Sequence, residues 1–360
     1  MKATQELHEL GQSIWLDNIT RALLTSGTLQ RYIRDLSVTG LTSNPSIFDQ
    51  AIKNSGDYDE SIRQNTGDGK SVETVFFDLA IDDLRVAADL FKPIHCGTGG
   101  VDGWVSLEVS PLLANDTKGT IAAAKELHAR AGRSNIFIKI PGTQAGVPAI
   151  EEAIFAGVPV NVTLLFSREH YVNAAEAYMR GIERRLAAGL DPAVHSVASL
   201  FVSRWDVAVM HDTPEDLHNK LGIAIAGRVH EKYRELHEST RWLELAKKGA
   251  QQQRLLWAST GAKDPKASDV LYVEALAAPD TINTMPEETL KAFADHGQLA
   301  EHPIVTGGEH EAMLAEFEEA GVNIQVLGSQ LQVEGAASFV KSWNDLMECI
   351  ESKSKVLVKV

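Results

Sequence analysis

The regular alternation of short β-rich runs with longer helical stretches is the feature that most constrains this chain. Such alternation predicts parallel strands joined by crossover helices. Eight strands packed in parallel close into a (β/α)8 barrel of the TIM type, and 360 residues fit one such barrel as a single domain over residues 1–360. The predicted strands are residues 13–17, 37–42, 104–109, 135–140, 158–163, 195–199, 254–259 and 281–285.

The connecting segments carry the signals of helices. Residues 71–91 open on Ser71 and residues 116–131 open on Asp116, and both residue types cap helix N-termini. An amphipathic stretch over residues 329–351 follows the eighth strand. It predicts an extra C-terminal helix that folds back over the barrel.

Two segments that contain glycines interrupt this regular pattern. Residues 213–249 begin with a threonine, a first-turn proline and acidic residues, but the segment is too long for one helix, and we expect a bend near Gly222 or Gly227. Residues 97–103 are glycine-rich. The spacing of a dinucleotide-binding loop fails there at Asp102, and a strand follows instead of a helix, so we predict a plain loop.

The composition argues against several classes of protein. A net charge of −15 disfavours a nucleic-acid partner. Cys96 and Cys349 form no paired motif, which argues against a disulfide framework and fits a reducing compartment. The chain has neither a long apolar run nor a secretory signal, so we expect a cytoplasmic protein without a membrane anchor. His230 and His237 lack metal-ligand spacing, and we expect no required metal.

Polar residues recur at or near the carboxyl ends of the predicted strands. In a barrel these positions converge on the face where active sites are built. The residues concerned are Asp17, Thr42, Asn44, Glu108, Lys139, Asn161, Thr163, Ser199 and Ser259.

Lys139 is the most informative of these residues. Strand alternation places it on the same face as Phe137 within an apolar run. Burial there disfavours a charged ammonium group, and the neutral amine is the form that attacks a carbonyl. The alternative is a lysine on an edge strand whose amine reaches solvent.

Two carboxylates favour the catalytic interpretation of Lys139. Imine chemistry requires several proton transfers, for which Asp17 and Glu108 would serve as acid or base. Each has a structural alternative: Asp17 could cap the helix that begins near Thr20, and Glu108 could form a salt bridge to Lys139.

Basic groups that follow late strands predict an anion site. Arg204 comes after the sixth strand, and Lys263 follows a turn of small residues after the seventh. Phosphate sites of barrels are often built on these later loops. The alternative for Arg204 is an ion pair with Asp206 or with another surface acid.

Six motifs, in order and over essentially the whole chain, resemble those of the transaldolase family. They are WLDN at 15–18, GLTSNPSIFDQAI at 40–52, SLEVSP at 106–111, NIFIKIPGTQAG at 135–146, VNVTLLFS at 160–167 and ASLFVSR at 198–204. The resemblance implies that Lys139 forms an imine with a ketose phosphate and that Asp17 takes the proton of the donor's C4 hydroxyl. It implies that Glu108 and Thr163 hold the water of imine formation and hydrolysis.

The resemblance also implies how substrate is held. Arg204 matches a phosphate-binding arginine, whereas Lys263 stands near a second arginine of many members and lacks its bidentate geometry. The implied substrate-binding residues are Thr42, Asn44, Asn161, Ser199, Phe201, Arg204, Ser259 and Lys263.

The function implied is transaldolase activity on sugar phosphates, without a cofactor. One alternative is a fructose-6-phosphate aldolase, but in that related family a proton-donating tyrosine stands where this chain has Phe201. Another is a non-catalytic barrel that binds sugar phosphates, which would not need Lys139, Asp17 and Glu108 together. The sequence leaves the oligomeric state and the preferred donor and acceptor open.

Overall fold

The eight predicted strands close into one barrel. The computed structural model describes residues 2–300 and 308–357. Each strand is parallel to its neighbours in chain order, and the eighth pairs with the first. The predicted (β/α)8 barrel is therefore confirmed, with strand ends within two residues of their predicted positions. The strands are Ser13–Asp17 (β1), Val38–Thr42 (β2), Val105–Glu108 (β3), Ile136–Pro141 (β4), Val160–Leu165 (β5), Ser196–Phe201 (β6), Gln253–Ala258 (β7) and Ile282–Met285 (β8).

The helices of the described residues alternate with these strands or flank them. The predicted caps are confirmed: Ser71 accepts a hydrogen bond from the N–H of Thr74 at 3.1 Å, and Asp116 accepts one from Gly119 at 3.0 Å. The helices are Ala3–Glu9 (α1), Arg21–Thr25 (α2), Thr28–Asp35 (α3), Pro45–Asn54 (α4), Asp59–Gly67 (α5), Val72–Gly97 (α6), Thr117–Ala131 (α7), Gly146–Phe155 (α8), Arg168–Ala187 (α9), Ser203–Val209 (α10), Leu221–Glu238 (α11), Thr240–Ala246 (α12), Leu271–Ala275 (α13), Glu287–His296 (α14), His310–Glu319 (α15) and Ile324–Leu357 (α16).

The predicted bend lies just before Gly222, where a turn at 218–220 with a left-handed Asn219 separates a short 3-10 helix, Glu215–Leu217, from α11. Gly227 lies within α11, which is not interrupted there. Gly222, the second residue of α11, also serves close packing: a Cβ there would lie 2.6 Å from the carbonyl oxygen of Val202. The helical segment is interrupted at Ser239, whose side chain accepts a hydrogen bond from the N–H of Trp242 and so caps α12. The segment is therefore divided twice, by the turn before α11 and by the capping serine before α12.

Aromatic rings fill the interior of the barrel beneath its carboxyl end. Trp104 stacks on Phe137 with ring centroids 4.0 Å apart, and Trp15 lies 6.2 Å from Phe137. All three side chains are buried. This layer is a solid support for the polar residues at the strand ends, because large rings leave no channel through the barrel.

The glycine-rich segment is a loop, as predicted, and it closes the amino end of the barrel. Its Asp102 is buried and accepts a hydrogen bond from Nε1 of Trp15 at 2.8 Å and another from the hydroxyl of Ser13. Arg254 in turn donates to Ser13 Oγ at 2.8 Å. The loop therefore satisfies buried polar groups that the strands leave unpaired.

Helix α16 crosses the carboxyl end of the barrel, as the amphipathic pattern predicted, but it is longer than residues 329–351. Gln332 donates from Nε2 to the carbonyl oxygens of Gly142 and Leu164, each at 3.0 Å. Trp343 packs edge-on against Phe76, with ring centroids 5.2 Å apart. The helix is thereby fixed both to the loops above the strands and to α6. Among the helices of the described residues, none combines the length and the apolar character needed to cross a membrane.

We predict that Gly40→Ala destabilises the barrel. A Cβ at Gly40 would lie 2.5 Å from Nε1 of Trp15, whose ring is held by Asp102. The tight packing should lower the free energy of unfolding by about 1–3 kcal/mol, measured from the urea unfolding midpoint. Gly67→Ala is the matched control, because a Cβ there meets no atom within 4 Å. Equal midpoints for the two variants would contradict this account of Gly40.

Candidate active site

A cavity of about 630 Å³ opens at the carboxyl end of the barrel, beneath α16. Among its lining residues are most of the site residues predicted from the sequence, which are Asp17, Thr42, Asn44, Lys139, Thr163, Ser199, Phe201, Arg204, Ser259 and Lys263. The other two, Glu108 and Asn161, are buried and do not line it. The strand-end pattern therefore identified one site whose members come from separate strands.

The amine of Lys139 lies at the floor of this cavity. The residue is only 5% exposed, and its Nζ donates to the backbone carbonyl oxygen of Ser43 at 3.0 Å. Nζ also lies 3.3 Å from Oε2 of Glu108. The alternative of an edge-strand lysine that reaches solvent is wrong, because the barrel has no edge strand and the side chain is enclosed.

The carboxyl group of Glu108 lies beside Lys139 on the neighbouring strand. Burial raises its pKa, while the positive charge of Lys139 acts in the opposite direction. The salt bridge considered as a structural alternative is therefore present, and it places a carboxyl group with a raised pKa next to the amine. Apart from that contact, the carboxyl oxygens have no hydrogen-bond partner in the described residues, and neither does the buried hydroxyl of Thr163. Both groups retain the capacity to bind a further polar molecule.

Asp17 ends β1 and faces the same cavity. Its Oδ1 accepts a hydrogen bond from the hydroxyl of Thr42 at 2.7 Å. Desolvation raises the pKa of Asp17, against the charge of Lys139 and the hydrogen bond from Thr42. The helix-capping alternative is wrong, because Thr20 itself caps α2 by accepting the N–H of Leu23 at 3.0 Å.

Asn161 and Ser199 form a hydrogen-bonded pair on β5 and β6. Asn161 is fully buried, accepts the hydroxyl of Ser199 at 2.7 Å and donates to Ser106 Oγ at 3.1 Å. Ser199 lines the cavity, so Asn161 orients it from below. Asn44 also lines the cavity, and its side-chain oxygen Oδ1 caps α4 by accepting a hydrogen bond from the N–H of Ile47.

Arg204 brings a positive charge to the cavity. Its guanidinium carbon lies 5.4 Å from the ring centroid of Phe201 and 6.0 Å from that of Phe339, and burial lowers its pKa. In the part of the chain that the structure describes, no carboxylate lies within ion-pair distance of it, and Glu334 acts on it only as a more distant negative charge. The predicted alternative of a pair with Asp206 is wrong, because that carboxylate accepts hydrogen bonds from the hydroxyl of Tyr272 and from two N–H groups of α11. A cation held between aromatic rings without a counter-ion suits an anionic ligand.

Helix α16 contributes residues that the sequence reasoning missed. Ser338 and Phe339 line the cavity beside Arg204. Gly335 lets the helix approach, since a Cβ there would lie 3.2 Å from Nη1 of Arg204. The amphipathic pattern indicated that this helix covers the barrel, but no motif marked the residues that face the cavity. Thr284 on β8 was also missed, although it is a polar residue at a predicted strand end.

Known proteins resemble this chain over almost its full length. The sequence model of the transaldolase/fructose-6-phosphate aldolase family matches residues 14–350. Transaldolase 1 of Streptomyces avermitilis is 45% identical over 96% of this chain and 94% of its own length. Transaldolase 2 of Nostoc sp. is 40% identical over 99% of this chain and 98% of its own length. The transaldolase of Arthrobacter sp. is 43% identical over 97% of this chain and 96% of its own length. The chain belongs to the transaldolase/fructose-6-phosphate aldolase family.

Proposed function

We propose that this protein is a transaldolase of the non-oxidative pentose phosphate pathway. It transfers a dihydroxyacetone unit from a ketose phosphate, such as sedoheptulose 7-phosphate or fructose 6-phosphate, to an aldose phosphate, such as glyceraldehyde 3-phosphate or erythrose 4-phosphate. The observation that carries the proposal is the enclosed amine of Lys139, with Glu108 3.3 Å away and Asp17 on the same cavity. The names of the relatives support the same activity.

In the first half of the proposed reaction, Lys139 forms an imine with the donor. Glu108 takes the ammonium proton of Lys139, its partner in the ion pair. The neutral amine then attacks the C2 carbonyl of the ketose, and the carbinolamine that results loses water. Glu108 supplies the proton that this water needs to leave, which its raised pKa favours. The hydroxyl of Thr163 holds the departing water, because it is buried on the cavity that Lys139 lines and has no other partner in the described chain.

In the second half, the bond between C3 and C4 breaks. Asp17 takes the proton of the C4 hydroxyl, the aldose phosphate leaves, and the electron pair of the broken bond moves into the protonated imine. The three-carbon unit stays attached to Lys139 as an enamine until it adds to the acceptor aldehyde. A base is most effective when its pKa lies near the working pH, so the raised pKa of Asp17 suits this step.

The remaining site residues are proposed to bind the substrate. Thr42, Asn44 and Ser199 line the wall near Lys139, where the hydroxyls of the three-carbon unit would lie. Arg204 is proposed to bind the phosphate, and Lys263 adds a second positive charge on the same cavity. We propose that Ser259 and Phe201 also contact the substrate. Asn161 acts indirectly, by supporting Ser199.

We further propose a cytoplasmic location without a nucleic-acid partner or a required cofactor. The net charge of −15 would repel nucleic acid. Both cysteines are free thiols, as in proteins of a reducing compartment. The lysine imine accepts the electron pair that a cofactor would otherwise have to accept.

Borohydride reduction in the presence of fructose 6-phosphate is predicted to attach one three-carbon unit to Lys139. Borohydride reduces an imine to a stable amine, and mass spectrometry of the peptides locates it. Lys139→Met should abolish both the adduct and transfer. Lys125→Met is the matched control, because that lysine lies on α7 in an ion pair with Glu152. An adduct on another lysine, or transfer by Lys139→Met, would refute the mechanism, and a non-catalytic barrel would form no adduct.

The aldolase alternative is tested by measuring free dihydroxyacetone without an acceptor. We expect little release from the wild-type protein, because the ring of Phe201 offers no proton to the enamine. Phe201→Tyr places a hydroxyl at this wall and is predicted to increase release at least several-fold. Steady release by the wild-type protein would instead assign it to the aldolase class.

Arg204→Lys is predicted to raise KM for fructose 6-phosphate roughly tenfold or more, because a charged bidentate contact is lost. Turnover of unphosphorylated fructose should change little, so comparing the two donors isolates the phosphate contact. Arg228→Lys is the control, since that arginine pairs with Glu311 away from the cavity. Equal losses with both donors would show that Arg204 does not bind the phosphate.

A further inference from the structure

Three side-chain oxygens form a chain of short hydrogen bonds on the wall of the cavity. Thr42 Oγ1 lies 2.7 Å from Oδ1 of Asp17 and 2.6 Å from Oγ1 of Thr284. The three residues come from β2, β1 and β8, and β1 pairs with both of the other strands. The contact between the two threonines therefore spans β1 inside the barrel, directly beneath Asp17.

The ionisation of Asp17 decides the direction of the chain. An ionised carboxylate only accepts, so Thr42 must donate its single hydroxyl proton to Asp17. Its contact with Thr284 can then be satisfied only if Thr284 donates. Thr284 is 4% exposed, and its hydroxyl has no other hydrogen-bond partner in residues 2–300 and 308–357. Protonation of Asp17 would reverse the chain, but a hydrogen bond to a charged acceptor is the stronger one, so the direction toward Asp17 belongs to its ionised form.

We propose that Thr284 is a positioning residue for the transfer reaction, which holds the hydroxyl of Thr42 toward Asp17 and so favours the ionised carboxylate. The inference rests on the proposed role of Asp17 as the base. A fixed donor removes the other rotamers of the Thr42 hydroxyl, and successive hydrogen bonds polarise one another. The chain thus opposes the desolvation that disfavours the charged form of Asp17.

Other charges also act on Asp17, and their effects differ in sign. Lys139 on β4 and Lys263 after β7 favour its ionised form, whereas Glu108 on β3 disfavours it. None of the three forms a hydrogen bond to Thr284 in the described residues. Replacing Thr284 therefore changes the hydroxyl chain and leaves these charges in place.

The test is the pH dependence of transfer from fructose 6-phosphate to erythrose 4-phosphate. Thr284→Val is nearly isosteric but cannot donate, so protonation of Asp17 becomes easier. The acid limb of kcat/KM is expected to move about half a pH unit upward. This lowers the rate on the acid side about threefold, with the loss in kcat and little change in KM. Thr284→Ser keeps the donor and is expected to restore the wild-type profile.

Two controls separate positioning from a general loss of structure. Thr39→Val removes a buried hydroxyl on β2 whose one hydrogen bond within the described residues goes to the carbonyl oxygen of Ile14, and it is expected to leave the profile unchanged. In an Asp17→Asn background, Thr284→Val is expected to cause no further shift, because the group it acts on is gone. Thermal unfolding of each variant reports on folding independently.

Several results would overturn the proposal. They are an unmoved acid limb in Thr284→Val, an equal loss at every pH that Thr284→Ser does not restore, or the same shift in the Asp17→Asn background. The borohydride adduct distinguishes this failure from that of the proposed function. If the wild-type protein forms the adduct and transfers, only the role of Thr284 is refuted. If it forms none, the proposed function itself fails.

Discussion

The site depends on the enclosure of one lysine amine inside a closed barrel. Lys139 has a backbone carbonyl oxygen and the carboxyl group of Glu108 as its near neighbours, and it is almost inaccessible to solvent. Burying a charge is costly unless partners surround it, so the neighbouring strands must supply polar groups at this depth. That requirement explains why polar residues of several strands converge at one level of an otherwise apolar barrel.

The rest of the barrel keeps this level fixed. Beneath it, the stacked rings of Trp104 and Phe137 fill the interior, and Asp102 anchors Trp15 from the loop at the amino end. Above it, α16 crosses the opening. Functional groups held on strands over a close-packed layer have little freedom to drift, which is the condition for proton transfers over hydrogen-bond distances.

The sequence predicted the strands well, because burial on both faces leaves a strong apolar signal. It also predicted most of the cavity lining, since strand ends in a barrel converge whatever the details of packing. The sequence-based predictions failed where the outcome depends on how closely two elements pack. Gly227 looked like a hinge, but it lies inside α11 and makes room for His310. Phe339 was missed because amphipathicity shows that a helix is half-buried, without showing which barrel residues it meets.

The close approach of Gly335 to Arg204 shows that the site has two parts, one built on the strands and one built partly on α16. The reacting groups belong to strands, where any change disturbs the register and packing of neighbouring strands. The surroundings of the guanidinium belong partly to α16, which closes no hydrogen-bonded ladder with the barrel. Under the proposed function, substitutions along this helix would alter which anionic substrates are accepted while Lys139, Glu108 and Asp17 stay in place. A lineage could change its substrate range through one peripheral helix and inherit the reaction centre intact.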